Sequence, residues 1–344
     1  MRTPHEGARG PRDNGYGKRH RLHGMTGTRP YAPGATGRDL TQPDATIRNL
    51  AQPGPRGSHI IDGRHRARLT PSGGIAAAPH ANATTMITAR DIREKMRRGE
   101  ATIGTWMQIP STDVAEILGR SGYDWVAVDL EHAAFTRSQL PDAFRAIELG
   151  GAAPFARVAE ATLTDIKASL DSGARGLIFP MIETREQLDA AIGWALYPRT
   201  DGPSGVRGVG YCRANLFGRE FTPYVNETAR DTLFVAQIEH IRAVDNLDAI
   251  LSHPRLDAIM VGPYDLSGSM GLTAQFDHPD FLAALDRIAA AARAHDVPMG
   301  LHIVQPDTAD LARRIGEGYR FIAWCIDAVF LYRNCTCPPA GGAG

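Results

Sequence analysis

The chain has 344 residues, with 38 basic and 38 acidic side chains, so it presents no overall field for nucleic acid or an anionic membrane surface. No run approaches the ~18 consecutive apolar residues that a spanning helix needs. Cysteines at 212, 325, 335 and 337 form neither a disulfide framework nor a paired zinc motif, so a soluble, cytoplasmic protein with no nucleic-acid or membrane partner is expected.

The even balance hides an asymmetry. Residues 1–85 hold 13 basic and five acidic side chains, a balance of +8, and the rest of the chain carries −8. The first 85 residues are dense in Arg, Gly, Pro and His and show no apolar period, so they read as a disordered or non-native extension that buries no core. Met86 resembles a true amino terminus, with Thr88 as the cap of a first helix.

From Ile103 onward, short apolar runs alternate with amphipathic segments. Strands are predicted at 103–107, 125–130, 154–158, 176–181, 233–238, 257–261, 297–302 and 319–324. Helices are predicted at 111–120, 138–149, 162–172, 184–196, 241–252, 279–295 and 306–315. This alternation predicts right-handed βαβ units closed into a (β/α)8 TIM barrel over 86–332, with a flexible tail at 333–344. A doubly wound open sheet is the runner-up.

Barrel active sites gather at the C-terminal ends of the strands, and polar residues end almost every apolar run here: Asp129-Leu-Glu-His132, Arg157, Gln237-Ile-Glu239, Gly262-Pro-Tyr-Asp265 and His302. Glu239 and Asp265 follow consecutive strands, which brings two anions together. Either a hard divalent cation joins them or each caps the helix that follows. His132 has acidic neighbours able to fix its tautomer. Arg157 inside a barrel calls for an anionic oxygen. Asp171 reads either as a partner for His132 or as a polar residue at a helix end. Backbone N–H groups at Tyr264 and Asp265, opening a helix, suit a carboxylate. The glycine-rich stretch 205–218 lacks a Walker lysine and does not follow a strand, so it reads as a long active-site loop rather than a nucleotide site.

These residues resemble the HpcH/HpaI aldolase/citrate lyase family over roughly 86–332, and specifically its metal-dependent pyruvate aldolases on a barrel of the phosphoenolpyruvate/pyruvate-domain type. The resemblance rests on Gly122-Tyr-Asp-Trp-Val-Ala-Val-Asp-Leu-Glu-His132, Arg157-Val158, Leu170-Asp-Ser-Gly-Ala-Arg-Gly176, Gly205-Val-Arg-Gly208, Gln237-Ile-Glu239 and Val261-Gly-Pro-Tyr-Asp-Leu266. It implies Glu239 and Asp265 as ligands of Mg2+, Mn2+ or Co2+. It further implies His132 as the acid/base oriented with Asp171, Arg157 on the enolate oxygen, and Gln237, Asp129, Gly262, Pro263 and Tyr264 around the pyruvate half.

The implied reaction is reversible aldol cleavage of a 4-hydroxy-2-oxo acid to pyruvate and an aldehyde, in aromatic or sugar-acid catabolism, by a homo-oligomer (hexamer or trimer). No lysine lies at a matching strand end, which disfavours a Schiff base. Arg213-Ala-Asn215 with Phe217-Gly218 resembles members acting on 2-dehydro-3-deoxy sugar acids, while other members cleave 4-hydroxy-2-oxoheptanedioate. The chain departs from the family pattern in the longer connection 197–205, in Tyr264, and in Ala133 and Ala134 after His132, all expected on the aldehyde side. The alternatives are a CoA-thioester lyase of the citrate lyase branch and an inactive binding barrel.

Overall fold

The computed structural model describes residues 86–337. The readings made for 1–85 and for 338–344 lie outside the described residues. Within them the strands are β1 (Thr102–Met107), β2 (Trp125–Asp129), β3 (Ala153–Arg157), β4 (Gly176–Phe179), β5 (Leu233–Ile238), β6 (Ala258–Val261), β7 (Met299–Ile303) and β8 (Phe321–Ile326). All pair in parallel and in chain order, and β8 returns to β1 to close a barrel. The open-sheet alternative is thereby excluded.

The strands are apolar on both faces because both faces are buried. Outward residues such as Val128, Leu177, Phe179, Phe234 and Ile259 pack with the surrounding helices in one core. Each such side chain contributes about 1.5–3 kcal/mol by leaving water. Side-chain caps start the helices where the sequence offers Ser or Thr. Thr88 opens α1 (Ala89–Arg97), Ser111 opens α2 (Thr112–Arg120), Thr162 opens α4 (Leu163–Ser172) and Thr184 opens α5 (Arg185–Ala195), each cap worth about 1 kcal/mol. Between α2 and α4, α3 spans Leu140–Gly150. The helix expected over 241–252 breaks at Asn246 into Ile241–Asp245 and Leu247–Leu251, and the last helix runs from Asp327 to Asn334.

The barrel interior is filled at its floor by an aromatic stack. Trp125 lies 4.4 Å from Phe321 and 5.5 Å from Phe155, centroid to centroid. Gly104 and Gly176 make the room, since a Cβ at either would enter the Trp125 or Phe155 ring. Ala89, Ile92 and Met96 of α1 join this cluster from below. With the floor sealed, the interior is reached from the C-terminal mouth.

Candidate active site

The ends of β2 and β3 are in register, Asp129 opposite Arg157, so the two side chains meet at the mouth. Arg157 donates from Nε to Asp129 Oδ1 (2.9 Å) and from Nη2 to Oδ2 (2.7 Å), the two-pronged geometry that suits guanidinium and carboxylate. Gln108 Nε2 donates to Oδ2 (2.9 Å), and the backbone N–H groups of Glu131 and His132 donate to Oδ1 (3.1 and 3.3 Å). Burial raises the Asp129 carboxyl, but the bonds and charge of Arg157 outweigh it and hold it below the usual carboxylate range.

Trp106 supports the guanidinium from one side at 4.4 Å. Glu131 approaches Arg157 Nη1 at 3.1 Å and His132 Nε2 at 3.9 Å. Burial pushes Glu131 up, with Arg157 and His132 opposing and Asp129 and Asp265 adding to the rise. The His132 side chain is 57% exposed at the rim. His302, also in the sequence-defined group of strand ends, is half-buried, and the desolvation of its ring lowers it to about 4, which favours the neutral form.

Glu239 follows β5 and is buried. Its Oε1 accepts from the Met181 N–H (2.7 Å) and its Oε2 from Gln237 Nε2 (2.7 Å), while Gln237 Oε1 is buried with no partner. Met181 reaches Glu239 from a left-handed backbone (φ 52), a conformation a non-glycine residue keeps only where its surroundings impose it. Asp265 lies in the first turn of the helix Pro263–Ser269 and is exposed. Neither acid is a helix cap: Gly262 and His240 hold the cap positions. That removes the capping alternative.

Arg157 thus pairs with Asp129 and Glu131, while Glu131 and Asp265 act electrostatically on Glu239, so four carboxylates share one guanidinium. Burial pushes Glu239 up to about 7, with Glu131 and Asp265 adding to the rise against the Met181 N–H. Such a deficit of positive charge fits a divalent cation on Glu239 and Asp265. Among the described residues no three or more His, Cys, Asp or Glu side chains are placed to hold a metal ion by themselves. Magnesium-type sites use one or two carboxylates and fill the remaining positions with water and substrate, so a pair of hard oxygen donors suffices.

Gly262 is part of the cradle, since a Cβ there would lie 2.5 Å from Glu239 Oε2 and 2.8 Å from its Cβ. Gly262→Ala is therefore expected to turn the Glu239 carboxylate away and to weaken divalent-metal affinity by at least tenfold. Calorimetric titration with manganese checks this; unaltered affinity would show that the cradle is loose.

The structure brings together His132, Arg157, Asp129, Gln237, Glu239, Gly262, Pro263, Tyr264 and Asp265 at one mouth. The Tyr264 ring packs edge-on against Phe276, 5.0 Å away. Asp171 lies apart from this mouth within the chain. It sits in the last turn of α4, which returns to the N-terminal face, and within the chain it pairs with Arg207 Nη2 at 2.8 Å rather than with His132. The stretch 205–218 follows the same logic as a connection from a helix into a strand. Val206 and Arg207 donate to the carbonyls of Gly193 and Leu196 (2.8 and 2.9 Å), and Arg213 Nη1 donates to Ser172 O (3.0 Å). It lies on the other face from Glu239 and is not an active-site loop of its own chain. Asn215 is buried and folds the loop, accepting from Cys212 and Gly218 N–H (both 3.0 Å).

Sequence reasoning passed over Gln108, Trp106 and Met181. Gln108 stands at the end of an apolar run, directly after β1, and that position is its signal. Trp106 reads as ordinary core, and nothing in the sequence marks the backbone of Met181.

The HpcH/HpaI aldolase/citrate lyase family model matches residues 102–334. A hydroxypyruvate/pyruvate aldolase of Roseobacter denitrificans is 33% identical over 241 residues, 70% of this chain and 91% of that protein. A 5-keto-4-deoxy-D-glucarate aldolase of Salmonella arizonae is 35% identical over 225 residues, 65% and 85% of the two chains. The crystal structure of an HpcH/HpaI aldolase/citrate lyase family protein from Burkholderia cenocepacia aligns with a TM-score of 0.66 at 33% identity, covering 70% of this chain and 95% of that one. The mouth of the barrel and the length of these alignments agree: the chain belongs to the HpcH/HpaI aldolase/citrate lyase family and is a carbon–carbon lyase acting on a small molecule.

Proposed function

We propose that the enzyme cleaves a 4-hydroxy-2-oxo acid, of the 2-dehydro-3-deoxy sugar-acid class, to pyruvate and an aldehyde, with a divalent cation held by Glu239 and Asp265. The observation that carries this reading is the buried Glu239, pushed up to about 7 beside Asp265 and within reach of the Arg157 site. When bound, the cation supplies Lewis-acid polarisation of the 2-oxo group. Arg157 has five N–H donors. Asp129 takes two and Glu131 faces a third, which leaves donors for the oxygen that gains charge as the C3–C4 bond breaks.

His132, at the rim, accepts the 4-hydroxyl proton. The bonding electrons pass from C3–C4 into the C2–C3 enolate, the aldehyde leaves, and a proton returned to C3 yields pyruvate. Gln237 Oε1, buried and free of a partner, offers an acceptor on the pyruvate side. The N–H groups that open the helix at Pro263–Ser269 suit the substrate carboxylate. The activities for which the two aldolases above are named support a pyruvate-side chemistry, and the glucarate enzyme supports the sugar-acid class.

Lactate-dehydrogenase-coupled detection of pyruvate tests this. Release from 2-dehydro-3-deoxy-glucarate is expected at a kcat/KM at least tenfold above that from 4-hydroxy-2-oxoheptanedioate. The reverse order overturns the substrate class, and no pyruvate from either overturns the reaction.

A further inference from the structure

On the face opposite the mouth, three connections converge: Arg199 follows α5, Arg230 precedes β5 and Arg255 precedes β6. Between them lies a cavity of ≈ 80 Å3, lined also by Tyr197 and Asp201. Asp201 bridges Arg199 (3.1 Å) and Arg230, so three guanidinium groups face one carboxylate and a charge of +2 is left over. Arg255 has no carboxylate within ion-pair distance among the described residues. Its Nη2 donates to the carbonyls of Arg230 and Thr232 (3.1 and 3.2 Å), and nearby Asp257 is taken by Arg93 at 2.6 Å.

Two further polar groups of lining residues are buried without partners, Arg230 Nε and the Tyr197 hydroxyl. The Tyr197 side chain is held in place by its ring, which lies 4.5 Å from the Arg207 guanidinium. Guanidinium nitrogens only donate, so the cavity asks for several acceptor oxygens on one small body. Water supplies acceptors but leaves the charge. A carboxylate supplies two oxygens and half the charge.

We propose that this cavity is a binding site for the phosphate group, as free phosphate or a small phosphomonoester, at the end of the barrel remote from the reaction. A phosphate dianion matches the +2 charge, and its oxygens match the donors of Arg230, Arg255 and Tyr197. The volume holds a tetrahedral oxyanion and excludes a nucleotide. A wider cleft of ≈ 330 Å3 shares Arg230 and Arg255 with it, and two of its other arginines, Arg90 and Arg93, are paired with the lining carboxylates Asp231 and Asp257, which leaves room for an organic substituent without free positive charge from that pair. The bound group would join the segments leading into β5 and β6, the strands that carry Gln237 and precede Glu239 and Asp265.

The test is calorimetric titration of the full chain with inorganic phosphate and, separately, glycerol 3-phosphate, at constant ionic strength set by chloride. A site is expected whose affinity falls at least tenfold in Arg255→Met and several-fold in Tyr197→Phe. The second variant keeps the ring against Arg207 and removes only the hydroxyl, so it reads the site even where loss of Arg255 disturbs folding. Tighter binding of glycerol 3-phosphate assigns the site to phosphomonoesters, and tighter binding of phosphate assigns it to the free ion. Binding that ignores both substitutions, or no binding beyond that of chloride, overturns the proposal.

Discussion

Arg157→Met is expected to lower kcat/KM for pyruvate release by roughly 10²–10³, the usual cost of losing one preorganised donor to a developing oxyanion. It is also expected to destabilise the fold. Asp129 is fully buried and takes both prongs of the guanidinium. With Arg157 gone it keeps only Gln108 and two backbone N–H groups. Removing one partner of a buried pair costs about 3–5 kcal/mol.

The pH dependence separates this from a packing effect. The folded Asp129 carboxyl lies below its ordinary value, so the contribution of the pair is complete above the unfolded pKa of about 3.9 and is lost as pH falls through the lower folded value. Urea melts should therefore show wild type and variant converging toward pH 3 and diverging at pH 7. A constant gap across that range would mean that the lost stability is packing against Trp106 rather than charge.

The second large effect concerns Glu239 in metal-free protein. Burial, with Glu131 and Asp265, raises its carboxyl from 4.5 to about 7. The sign is opposite to that of Asp129. The neutral form is favoured in the fold, so stability is complete below the unfolded pKa and declines as pH rises through 7, by on the order of 3 kcal/mol. A cation needs the ionised carboxylate, so its binding below pH 7 releases a proton and its stabilising effect grows with pH. Thermal melts of EDTA-treated protein, with and without manganese, should show a larger metal-induced rise in Tm at pH 8 than at pH 6. Equal rises would place the metal on groups already ionised at pH 6, and so away from Glu239.

Much of this site was legible because a barrel strand buried on both faces must be apolar throughout. A polar residue that ends such a run, as in Asp129, Arg157, Gln237 and Glu239, is then conspicuous, and parallel closure brings the ends together without further information. The choice of partners was less legible. On the residues alone Asp171 reads equally as a partner for His132 or as a polar helix end, and the stretch 205–218 reads as an active-site loop, yet a helix after a strand returns the chain to the opposite face, and within the chain Asp171 meets Arg207 there. Backbone geometry left no mark at all. Met181 carries an ordinary side chain on a left-handed backbone, and a positive φ at Cys325 (64) accompanies a register shift between β1 and β8. Only the folded context imposes those conformations.

The central claim is that Glu239 and Asp265 hold the cation on which aldol cleavage depends. The most direct measurement is pyruvate release by EDTA-treated enzyme before and after addition of manganese, for wild type and for Glu239→Gln, whose amide keeps the shape of the carboxyl and removes its charge. The predicted result is no release without metal, recovery in wild type and none in the variant. Undiminished turnover after EDTA, or full recovery of Glu239→Gln, would contradict it.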